Sequence, residues 1–129
     1  MRAEKQWDTP AGLLAVVSVV DNSYKMKNYD SHRCGYVRVL PGHPAYLKNH
    51  HDPLFASISV HGGLSFSGDF ILNNLPEKVW WLGFDCLHAG DGIIEPQPEF
   101  SFFNAGIPRS LSFVEAECNS LALQLQALK

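Results

Sequence analysis

One segment of this chain carries an unambiguous helical stripe. Val114, Cys118, Leu121, Leu125 and Leu128 recur at steps of four, three, four and three, which gathers them on one face of an α-helix. Ser112 followed three residues later by Glu115 predicts a capping box at its start. Burying four or five such side chains contributes on the order of 1.5–3 kcal/mol each before entropy is counted, so this helix has to form a wall of the core. The consequence for the rest of the chain is topological. Parallel strands need crossover connections, usually helices, and no helical pattern stands between the strand-like segments.

Those segments are short. Leu13 to Val20 is rich in Val and Leu and ends at Asp21-Asn22-Ser23, which reads as a strand and a turn. Gly35 to Leu40 alternates Val37 and Val39 against Tyr36 and Arg38, and Pro41-Gly42 ends it. Ser57 to His61 alternates again, with Ile58 and Val60 on one face and Ser57, Ser59 and His61 on the other. Gly62-Gly63 then frees the backbone ahead of Leu64-Ser65-Phe66, and Ser67-Gly68-Asp69 turns the chain. Val79 to Asp85 is the most hydrophobic strand. "PGHPAYLKNHHDP" (residues 41–53) and most of residues 92–110 read as loop, residues 70–78 fit neither pattern, and residues 1–12 read as a loosely ordered start. The prediction is a single α+β domain over residues 1–129, a mainly antiparallel sheet packed on a long C-terminal helix.

Composition narrows the function classes. A chain of 129 residues with 46% hydrophobic and 18% charged residues is of ordinary globular balance. Its net charge of −3, with Lys25 and Lys27 as its sole basic cluster, gives no stripe for a nucleic acid polymer. Leu13 to Val20 is too short for a membrane span, and the first residues do not read as a signal peptide. Three cysteines (Cys34, Cys86 and Cys118) cannot all pair within the chain, so reduced thiols and a cytoplasmic location are expected. Nothing in the composition decides for or against a homo-oligomer.

The chemistry concentrates at the end of the last strand. In "VWWLGFDCLHAGDG" (residues 79–92), Trp80, Leu82 and Phe84 share one face, while Val79, Trp81, Gly83 and Asp85 share the other. A glycine inside a strand often marks close approach of a ligand, so Gly83 is read as opening a slot beside Trp81 with Asp85 at its end. Were the Ser57–His61 strand a neighbour, His61 would face Asp85 across the sheet. Beyond lie Cys86, His88 and Asp91.

Four readings compete. His61, Asp85, His88 and Asp91 form a mixed nitrogen and oxygen set suited to a divalent metal such as zinc, manganese or iron, though no established ligand spacing is present. The same residues support metal-free acid–base catalysis, with a carboxylate orienting His88 or His61. Cys86 with His88 is a nucleophile and base pair of poor spacing. Finally, Asp85 can simply cap the following turn while His88 and Asp91 bond nearby backbone. Lesser features are "GLSFSG", which lacks the second glycine of a hydrolase elbow, and His50-His51-Asp52, which looks metal-like but sits in a solvated loop. Gly62-Gly63 could present N–H groups to an anion, Tyr36, Trp81 and Phe66 could stack on a planar ligand, and Cys118 belongs to the helix core.

"CGYVRVLPGHPAY", "VHGGLSFSG", "WWLGFDCLHAGD" and "FVEAECNSLALQL", in that order, resemble a set of small, mostly uncharacterised bacteriophage and bacterial proteins. These carry C-G-Y-V, G-H-P, H-G-G-L-[ST]-[YF]-S and W-W-x-G-F-D-C-x-H-A-G-D motifs. The resemblance spans about residues 34–125, and Ser65 stands where threonine is more usual, which keeps the hydroxyl. It implies a site of His61, Gly62, Gly63, Ser65, Asp85, Cys86, His88 and Asp91, with His43 from G-H-P. The expectation is a polar pocket that binds a small nucleotide-like or phosphorylated ligand, with hydrolysis of that ligand as its catalytic version and with Trp81 and Gly83 in its lining. The alternatives are a ligand-sequestering phage or host-defence accessory protein without catalysis, and a protein-interaction domain whose histidines are structural.

Overall fold

The computed structural model of the protein describes residues 2–20, 32–69, 79–86 and 109–128. Strands β1 (Arg2–Asp8), β2 (Leu14–Val20), β3 (His32–Val39), β4 (Phe66–Gly68) and β5 (Trp80–Asp85) form one sheet in the order β1-β2-β3-β5-β4. All four neighbouring pairs are antiparallel, and helix α1 (Leu111–Gln126) packs over β2 and β3. The α+β architecture is the expected one.

The helix stripe is buried as its periodicity requires: Val114, Cys118, Leu121 and Leu125 meet Val17, Val37, Val39, Leu82 and Phe84 in one core. Its cap is different from the expected one. Ser110, not Ser112, accepts the N–H of Phe113 at 3.1 Å. Glu115 is thereby left to bind Lys5 Nζ at 2.7 Å.

The start of the chain is a strand and not a loose segment. Arg2–Asp8 pairs with β2 along the sheet edge, with a register irregularity between Ala3 and Lys5. Pro10 and Gly12, read as ending a loose start, instead close a hairpin. The Gly12 N–H reaches Thr9 O at 2.8 Å, and Gly12 lies at φ 91°, where a side chain would be strained. Charge and a bulge are typical of an edge strand that must not recruit another chain. Across the layers, Trp7 Nε1 donates to Asn119 Oδ1 of α1 at 3.0 Å.

Ser57–His61 is also reassigned. Ile58 and Val60 do pack inward on the core, as their alternation predicts, but among the described residues no strand pairs with this segment. Helix side chains take its backbone groups instead. Gln124 bridges Ser59 N–H and Ser59 O, both at 2.7 Å, and Glu117 Oε1 accepts the His61 N–H at 2.8 Å.

Register in the centre of the sheet is set by two glycines. Gly35 on β3 pairs with Phe84 on β5, and Gly83 on β5 pairs with Tyr36 on β3. A Cβ on Gly83 would sit 2.5 Å from Tyr36 Cδ1 and 2.8 Å from Gly35 O. The space at Gly83 is filled by a tyrosine ring, and the ligand slot expected there does not exist. Gly83→Ala is therefore expected to lose about 1–3 kcal/mol through overpacking. Urea denaturation measures this, and unchanged stability would mean that the Tyr36 ring does not depend on the missing side chain.

Candidate functional site

The register that seats Tyr36 over Gly83 also lines up a polar row on the sheet face away from α1. Ser18 pairs with Cys34, and Cys34 pairs with Asp85. Ser65 extends the row: its Oγ donates to Asp85 Oδ2 at 2.9 Å, while its N–H bonds Gly83 O at 2.9 Å. Two sequence motifs, H-G-G-L-S and G-F-D-C, are thus joined by a side-chain contact.

The turn that delivers Ser65 depends on its glycines. The Gly63 N–H bonds Val60 O at 2.8 Å, and Gly62 and Gly63 lie at φ 69° and 83°. Glycine at the third position of such a turn meets the positive-φ requirement of a type II bend.

Moving along the row, burial increases and chemistry becomes quieter. Ser65 is exposed and Asp85 half-buried, while Cys34 and Ser18 are buried. Burial pushes the Cys34 thiol up to about 11, partly offset by a hydrogen bond with Tyr36. The Tyr36 hydroxyl is raised too, first by burial and then by Cys34. Ser18 Oγ lies close enough to the Tyr36 hydroxyl to oppose that rise slightly, although it makes no hydrogen bond of good geometry among the described residues. Ser18 and Cys34 were not among the expected site residues, and Tyr36, read as a possible stacking platform for a planar ligand, instead fills the space over Gly83. The signal for Ser18 was present, since it is the sole polar residue in Leu13–Val20.

Other expected site residues fall elsewhere. The His61–Asp85 pairing across adjacent strands is corrected, because the neighbours of β5 are β3 and β4. His61 belongs to the helix side, its ring edge-on to Phe113 with centroids 5.2 Å apart. Cys86 is buried in the helix-side core, and its N–H bonds Arg33 O at 2.9 Å. Trp81 is buried on the polar-row face beside Tyr36 and Val16. His43 Nδ1 accepts the Ala45 N–H at 3.0 Å, which places the proton of the neutral ring on Nε2, and that buried atom finds no acceptor among the described residues. His88 and Asp91 lie outside the described residues. Among the described residues, no three His, Cys, Asp or Glu side chains gather to hold a metal. None of the described helices is long and apolar enough to cross a membrane.

A groove of about 340 Å³ opens between the Pro10-Ala11 turn and Asn119, Ser120 and Leu123 of α1. Three of its lining residues come from the closing-helix stretch of the resemblance, but none from the H-G-G-L-S or G-F-D-C motifs, and the lining offers no titratable group. The chain matches no model of a known protein family, no curated protein and no solved structure.

The thiols predict a pH response. Cys34 and Cys118 are both raised from 9.0, to about 11 and about 12, chiefly by burial. A raised folded pKa means that the unfolded chain releases its protons first as pH increases. The stabilisation is complete below pH 9 and is lost as pH climbs through the folded values. Melting temperature is expected to fall between pH 9 and 11, and Cys34→Ala should flatten part of that fall. An identical profile in the variant would contradict the assignment.

Proposed function

We propose that this protein binds a small polar ligand at the Ser65–Asp85 end of the sheet. The observation that carries the reading is the 2.9 Å bond from Ser65 Oγ to Asp85 Oδ2, which brings two motifs distant in sequence to one partly exposed point. The same motifs carry the resemblance to small phage and bacterial proteins, which favours a shared site over a local capping role.

The donors and acceptors present favour one side of a nucleotide-like ligand. A carboxylate and a hydroxyl suit the N–H and O–H groups of a base or sugar, whereas a phosphate would meet like charge at Asp85. The described cation nearest in sequence to the row, Arg33, is already bound by Glu4 at 2.7 Å and by Arg109 O at 2.8 Å. Hydrolysis needs a base in addition. The His61 ring lies on the helix side, edge-on to Phe113, whereas Asp85 is on the opposite face of the sheet, so His88, three residues beyond Asp85 in sequence, takes that role.

A thermal-shift panel tests this. Nucleosides and nucleotides should raise the melting temperature, Asp85→Asn and Ser65→Ala should abolish the shift, and orthophosphate should produce none. Product formation lost in His88→Ala with binding retained would make the protein a hydrolase, while binding without product would make it a sequestering module. A shift from orthophosphate alone, or from none of these ligands, would overturn the reading. The second reading is a protein-interaction domain with structural histidines, favoured by the hydrogen bonds that His43 and His50 make within their own loop and to β4. It predicts a flat panel.

A further inference from the structure

The loop between β3 and β4 holds two consecutive histidines whose positions neither the polar row nor the proposed ligand explains. The rings of His50 and His51 lie with centroids 4.1 Å apart and planes tilted by 44°. Adjacent residues in an unconstrained loop would spread these side chains into solvent. Here each backbone N–H is tied: His50 to Ser67 Oγ at 3.0 Å, and His51 to Asn49 Oδ1 at 2.8 Å. Flanking residues brace the loop on both sides. Trp80 Nε1 of β5 donates to Lys48 O at 2.9 Å, and Asp52 caps the 3-10 turn Pro53–Phe55, whose Phe55 is buried in the core.

Ser67 does a second thing. Its Oγ also lies 2.9 Å from His50 Nδ1. A hydroxyl oxygen has two acceptor sites, so it can take both the backbone N–H and an Nδ1–H of His50. In that tautomer Nε2 of His50 is the unprotonated nitrogen. A ligating histidine commonly has such a partner on its other nitrogen, which fixes the ring and the tautomer.

We propose that His50 and His51 form a two-imidazole site for a borderline divalent transition ion such as Zn2+, with Ser67 as the positioning residue. Metal–nitrogen bonds of about 2.0–2.1 Å put the centroids of two cis imidazoles roughly 4.5–5 Å apart. The observed 4.1 Å is within a small ring movement of that separation. Imidazole suits zinc, nickel and copper, and water completes the coordination of a site with two protein ligands. The site is independent of Ser65 and Asp85.

Zn2+ titration of tag-free protein, followed by calorimetry and by ring-nitrogen shifts of the histidines, tests the proposal. One equivalent should bind, moving the shifts of His50 and His51 while those of His32, His43, His61 and His88 stay in place. His50→Gln and His51→Gln should each weaken binding at least roughly tenfold, and Ser67→Ala about tenfold with the His50 tautomer altered. Binding that survives the double variant His50→Gln/His51→Gln, binding that is lost in His88→Ala instead, or no binding at all would each overturn it. The shift measurement uses the unaltered chain, so a variant that fails to fold does not blunt the test.

Discussion

The structure depends on two glycine–aromatic pairs across β3 and β5. On the helix side, a Cβ on Gly35 would lie 2.6 Å from Phe84 Cζ and 2.7 Å from Cys118 Sγ, so its absence is what lets the ring and α1 sit down on the sheet. On the opposite side, Gly83 gives the same room to Tyr36. Each glycine lies directly opposite the aromatic that covers it, and the two pairs are adjacent in the ladder but on opposite faces. A slip by one residue would turn both rings to the wrong side and set each against a side chain. Register is therefore locked from both faces at once, and everything downstream, including the pairing of Asp85 with Cys34, follows from it.

Where hydrophobic periodicity had a buried partner, the sequence was a sufficient guide. The α1 stripe, the β2 run and the faces of β5 read correctly because burial on those faces decides them. Two segments did not read correctly, for opposite reasons. β1 carries Arg2, Glu4, Lys5, Gln6 and Asp8 and has one large apolar residue, Trp7, so no alternation betrays it. Its pairing comes from backbone bonds at a sheet edge and from Lys5 and Trp7 reaching α1. Ser57–His61 has good alternation, yet its inward residues face the core beside the helix and its backbone is satisfied by Gln124 and Glu117. Period two reports which side chains are buried. It does not report what the backbone bonds to.

The same distinction separates what was legible of the site. Ser65 and Asp85 could be singled out because a turn and a strand end are where polar residues gain exposure. Gly83 could not be read correctly from its own position, since the reason for it lies on another strand. Ser18 stood out as the sole polar residue of its strand and Cys34 sat in a strand of mixed character, but the row they form exists only through register.

The histidines show how far residue type alone can mislead. His43 spends one ring nitrogen on the Ala45 N–H, His50 has one beside Ser67, and His61 lies edge-on to Phe113. The useful question for each is which nitrogen the fold leaves over. For His43 it is a buried Nε2–H, a donor. For His50, Ser67 lies beside Nδ1, and when Nδ1 donates to that hydroxyl Nε2 is left as an acceptor beside a second imidazole. Those are different chemistries from one residue type a few positions apart in one loop, and the difference is made by a single backbone N–H in one case and one serine in the other.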